Sequence, residues 1–94
     1  MAVRTPVEIG ASLRDFSAGC DVTVLDISTD GFLADCCNCY QPGQTVRLEL
    51  PSLASLGAVV RWRDGSRHGF RFDVPLSLTQ VHEISASTSW RSAN

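Results

Sequence analysis

Apolar and polar residues alternate along most of this chain with a period of two, the mark of half-buried β-strands. Val7, Ile9, Ala11 and Leu13 fall on one face of a first strand, with Glu8, Gly10, Ser12 and Arg14 on the other. Asp21–Ser28 alternates next, turns at Thr29-Asp30-Gly31, and leads into a third strand over Phe32–Asp35. Thr45–Leu50 reads as a fourth, with Val46, Leu48 and Leu50 inward and Pro51 stopping it. Gln41-Pro42-Gly43-Gln44 is a turn before it, and Leu53 and Leu56 in the loop after it are expected to cover one end of the core.

The last two strands carry a register constraint. Ala58, Val60 and Trp62 share a face, as do His68, Phe70 and Phe72. Both sets must face the core, and a one-residue slip would expose one of them. This predicts a three-residue loop, Asp64-Gly65-Ser66, pairing Val60 with Phe70 and Ala58 with Phe72. Arg63 then opposes Arg67 on the outer face, with Arg61 and Arg71 on the same face. Like charges directly opposite cost roughly 0.2–1 kcal/mol. The strip is therefore screened by solvent, paired with Asp or Glu, or used as a surface for a phosphate or an acidic partner.

Ser77-Leu78-Thr79-Gln80 fits a capping box, and Leu78, Val81 and Ile84 follow helical spacing over an open barrel end. Six antiparallel strands and a short C-terminal helix make this an all-β protein and suit a six-stranded antiparallel Greek-key β-barrel. Its parts are an arm over 1–6, the barrel and helix over 7–84, and a fraying Ser/Thr-rich tail over 85–94. Trp90 in that tail either packs back on the domain or meets a partner.

Asp26-Ile27-Ser28-Thr29-Asp30-Gly31 stands where the second strand leaves the core, and reads D-x-S-x-x-G. Asp26 offers acceptors only, and Ser28 one donor and two acceptors. Gly31 permits positive φ and a close backbone approach to a neighbour or a ligand. Such a strand end can hydrogen-bond a purine edge, or its own turn.

Composition narrows the options. A length of 94 residues is one small domain, and 44% hydrophobic with 19% charged residues is a globular balance. A net charge of −2 argues against a nucleic-acid polymer as partner. All eight basic residues are arginines, planar donors suited to phosphate and to stacking. No apolar run approaches about 18 residues, and the N-terminus lacks a signal-peptide core, so no membrane insertion and a cytoplasmic location are expected. Cys20, Cys36, Cys37 and Cys39 are then expected to be reduced thiols. Their spacing is poor for zinc, and no metal is expected. Ser28 with His68 or His82 lacks a nucleophile elbow or oxyanion loop, and no phosphate loop is present, so no catalytic residues are assigned and an enzyme is not expected.

The ordered set D-x-S-x-x-G, then Gly43-Gln44-Thr45-Val46-Arg47-Leu48-Glu49-Leu50-Pro51, then Val60-Arg61-Trp62, then Gly69-Phe70-Arg71-Phe72 resembles the pattern of PilZ domains, the bacterial receptors for cyclic di-GMP. It covers roughly residues 4 to 84. The resemblance implies a six-stranded barrel and a receptor-adaptor without a cofactor, whose ligand is cyclic di-GMP and whose output is contact with a protein partner. It implies that Asp26 and Ser28 hydrogen-bond a guanine edge and that Gly31 allows close approach. An R-x-x-x-R pair precedes the first strand in that family and grips the cyclic dinucleotide by phosphate or guanine, a role the resemblance implies for Arg4. Arg4 matches its second member, and the first would fall one position before Met1. Loss of one such contact would weaken binding roughly 10- to 150-fold. The alternative is a PilZ-like protein-interaction module that does not bind nucleotide. A nucleic-acid-binding barrel ranks last, since strand positions lack exposed alternating aromatics.

Overall fold

In a computed structural model, the described residues are 4–15, 18–37, 40–51 and 55–92, with backbone alone for 87–92. Six strands form: β1 (Thr5–Arg14), β2 (Gly19–Ile27), β3 (Gly31–Cys36), β4 (Thr45–Glu49), β5 (Leu56–Asp64) and β6 (Arg67–Phe72). One helix, α1 (Leu78–Ser92), follows. The strands close into an antiparallel barrel in the order β1-β2-β3-β6-β5-β4. β3 therefore lies beside β6, and β4 returns to β1, as in a Greek key.

The period-two faces become the core. Ile9, Leu13, Val22, Val24, Val46, Leu48, Ala58 and Val60 are buried, with Phe32, Phe70 and Phe72 beside them. Phe32 and Phe70 are cross-strand partners whose rings stack at 4.4 Å between centroids. Gln41–Gln44 is the expected turn: the Gln44 amide donates to the Gln41 carbonyl at 3.0 Å, and Gly43 takes a φ of 92° after Pro42.

His68 is fully buried among these rings. Its Nε2 accepts from the Tyr40 amide at 3.2 Å, which leaves Nδ1 to donate to the Ser66 carbonyl at 3.0 Å. The imidazole thus spends both nitrogens on backbone groups and anchors the chain entering the β3–β4 crossover.

The barrel closes weakly between β1 and β4, through Ser12–Arg14 against Arg47–Glu49. α1 packs on β1. The capping box is present: Ser77 Oγ accepts from the Gln80 amide at 3.1 Å, and Gln80 Oε1 from the Ser77 amide at 2.9 Å. Val81 and Ile84 are buried as expected, but Leu78 is 65% exposed. Leu76 enters the core instead. It precedes the N-cap, and with Val81 it holds the two positions of a hydrophobic staple.

Three expectations change. Thr5 and Pro6 belong to β1 rather than to an arm, and α1 continues through Ser92 where a fraying tail was expected. The β5–β6 loop is not of odd length. Asp64 pairs with Arg67 across the two residues Gly65 and Ser66, and Gly65 takes a φ of 63°, as the first position of a type II′ hairpin demands. Val60 still pairs with Phe70 and Ala58 with Phe72, because a bulge between Val60 and Trp62 absorbs the extra residue. Leu56 packs against the core; Leu53, Cys39 and the side chain of Trp90 lie outside what is described. No helix of the described residues is long and apolar enough to cross a membrane.

Candidate functional site

The pleat alone would bury Asp26. Val22 and Val24 point inward, so a regular strand would send Asp26 inward too. A register shift between Val24 and Asp26 intervenes, with Leu25 as the extra residue against β3. Ile27 drops into the core at 0% exposure, and the Asp26 side chain keeps 18% of its surface in solvent. The bulge on β5 acts in the same way. It adds Arg61, which turns Trp62 out of the core to 42% exposure. β-Bulges characteristically re-aim side chains near sites.

These two bulged strands flank the β3–β6 pair. On the outer face of that pair the chain offers Gly31 and Gly69, which carry no side chain. The result is an open cleft of about 470 Å³, floored by β3 and β6 and walled by Asp26 on one side and Trp62 on the other. That volume lies within the roughly 300–1,000 Å³ of small-molecule sites. The indole of Trp62 lies directly on Gly69, so closely that a Cβ there would meet its Nε1 and Cε2.

Arg4, Asp26, Ser28, Gly31, Arg61 and Arg71 all line this cleft. Arg4 Nη1 stands 3.5 Å from Asp26 Oδ2. It reaches there because β1 enters the barrel beside the motif, with Pro6 registered on Asp26. Ser28 is buried and serves its own turn. Its Oγ accepts from the Asp30 amide at 3.2 Å and the Gly31 amide at 3.3 Å. The turn is pinned to the end of β6 and the segment after it, since the Asp30 carbonyl accepts from the Phe72 amide and the Thr29 carbonyl from the Leu76 amide, each at 2.8 Å. Gly31 is not at positive φ; it is needed because β6 comes so close that a Cβ would fall on the Phe70 carbonyl oxygen.

The arginine strip does not stay together. Arg63 is registered opposite His68, not Arg67, so the expected clash of like charges does not arise. Arg67 sits between Asp35 of β3 and Asp64 of β5. Arg61 and Arg71 alone of the four reach the cleft. Trp62 and Gly69 are the site residues that sequence reasoning missed. Their signal was the V-x-W and G-F pattern itself, but counting in twos assigned Trp62 to the core.

The cysteines lie elsewhere. Cys20 Sγ is 3.2 Å from the Tyr40 hydroxyl, and Cys36 is buried. No group of three or more His, Cys, Asp or Glu among the described residues could hold a metal ion. Burial, reinforced by Cys20, Asp35 and Cys37, pushes the Cys36 thiol up to about 12 from 9.0. Its contribution to stability is complete below the unfolded value and is lost as pH rises, because the unfolded chain gives up the proton first. Stability should therefore fall between about pH 9 and 12, by at most about 1.4 kcal/mol per pH unit. Urea unfolding across that window should show a shallower decline for Cys36→Ala; an unchanged slope would assign the decline to other groups.

The family model of the PilZ domain matches residues 1–89. The chain belongs to the PilZ domain family. This is a family of regulatory binding domains, generally receptors or adaptors for cyclic di-GMP. The fold agrees. The PilZ domain of CeSA from a cellulose-synthesizing bacterium superposes with a TM-score of 0.65 at 14% identity, over 96% of this chain and 98% of that one. The Bacillus subtilis inhibitor of motility, MotI/DgrA, superposes with a TM-score of 0.67 at 16% identity, over 100% of this chain and 51% of that one. This PilZ chain thus spans about half the length of MotI/DgrA. No curated protein matches it.

Proposed function

We propose that this PilZ domain is a receptor for cyclic di-GMP that signals from the cytoplasm by changing its contact with a protein partner. The observation that carries the reading is the cleft, in which an acceptor-only Asp26 and an outward Trp62 stand on opposite walls, with Gly31 and Gly69 in the floor between them. Guanine presents two adjacent N–H donors on one edge and a π-face. A carboxylate matches the first, and an indole the second. Ser28 supports this by shaping the turn, and Gly31 by keeping β3 close to β6. Arg4 closes the cleft from the N-terminal side, and a bound ligand would hold this segment against the barrel.

Titration calorimetry with cyclic di-GMP tests the reading. Asp26→Ala should reduce affinity by about 10-fold or more, as expected for lost charge-assisted hydrogen bonds. Binding unaffected by Asp26→Ala would remove the guanine-edge role. No binding by the wild-type chain would favour the second reading, a protein-interaction module without nucleotide. That reading draws on the Arg4–Asp26 ion pair, which already occupies the carboxylate, and on Val74 and Leu78, exposed at 76% and 65%.

A further inference from the structure

We infer that Arg61 and Arg71 form an anion seat on the barrel wall, and that this pair, not Arg4, takes the phosphodiester of the ligand. The inference rests on the cyclic di-GMP reading above and assigns its phosphate half. Arg4 lies 3.5 Å from Asp26, so its charge is already balanced within the cleft. Arg61 and Arg71 make no ion pair among the described residues. Both are exposed, and both line the same cleft as Arg4 and Trp62.

Their placement is built into the strands. Arg71 is registered between Gly31 on β3 and Val59 on β5. Arg61 is the extra residue of the β5 bulge, two residues on from Val59. Arg61 faces out by simple alternation after the buried Val60, and the bulge turns Trp62 out beside it. A stacking ring and two guanidinium groups thus converge from adjacent strands. Asp30 and Asp73 are further carboxylates that line a cleft with both arginines, and neither forms an ion pair with either. Neither guanidinium is held in an ion pair among the described residues, so both can turn toward an arriving anion. Planar guanidinium groups suit the paired oxygens of a phosphodiester.

The experiment compares wild type, Arg4→Gln and the double variant Arg61→Gln/Arg71→Gln by calorimetry with cyclic di-GMP at several salt concentrations. The ligand's ³¹P resonances are followed in parallel. The double variant should unfold at the wild-type temperature, since both side chains are exposed. It should lose roughly 10-fold or more in affinity, and its salt dependence should flatten. The ³¹P shift seen with wild type should shrink for the double variant and persist for Arg4→Gln. Wild-type affinity, salt dependence and ³¹P shift in the double variant would overturn the anion seat while leaving the receptor reading intact. Absence of wild-type binding overturns both.

Discussion

Gly31→Ala should destabilise the barrel by about 3 kcal/mol or more, a large share of the 5–15 kcal/mol typical of a domain. Gly31 pairs with Arg71 at the start of the β3–β6 ladder, and a Cβ there would fall on the Phe70 carbonyl oxygen. That oxygen is backbone, so no rotamer change removes the overlap. β6 would have to move away from β3, and the adjacent Phe32–Phe70 stack would open with it. Urea unfolding followed by circular dichroism should give a much lower midpoint at an unchanged slope. Gly57→Ala is the internal comparison. The Cβ added there would meet the Asp73 carboxylate, a side chain that can swing aside, and its cost should be clearly smaller. A Gly31→Ala midpoint equal to wild type would show that β3 and β6 tolerate a wider spacing than the fold implies.

Gly69→Ala should spare the fold and cripple the cleft. The added methyl would meet the Trp62 indole, which is a side chain on the outside of the barrel and free to leave. If the indole is the stacking platform for guanine, displacing it should remove about 1–3 kcal/mol of binding, roughly 5- to 150-fold in affinity. Trp62→Ala should lose a similar amount. Carrying Trp90→Phe in every variant leaves Trp62 as the sole indole, so its emission reports the displacement directly. A changed emission with wild-type affinity for cyclic di-GMP would exclude stacking on Trp62. An unchanged emission would mean that the ring does not rest on Gly69.

Both predictions turn on glycines whose importance is invisible in local pattern. In the sequence, Gly31 closes a turn motif and Gly69 follows a histidine in a strand. Each becomes necessary only when another strand, or another strand's side chain, arrives on top of it. The same holds for the arginines. Alternation grouped Arg61, Arg63, Arg67 and Arg71 on one strip. The bulge and the two-residue hairpin divided them, sending two to the cleft and leaving Arg67 between two aspartates.

Much was legible without coordinates. The inward faces of the strands, the burial of His68 with Phe70 and Phe72, and the capping box at Ser77 and Gln80 all follow from local periodicity and short-range hydrogen bonding. So does the turn role of Ser28, whose hydroxyl reaches amides only two and three residues ahead. What the tertiary structure decided is where the pleat breaks. A strict count of two buries both Asp26 and Trp62; extra residues at Leu25 and Arg61 bring them out on either side of β3 and β6. Alternation is a property of one strand's backbone and can be read from that strand. A bulge is set by the register that six strands must share to close a barrel, and that constraint is written in no single segment of the chain.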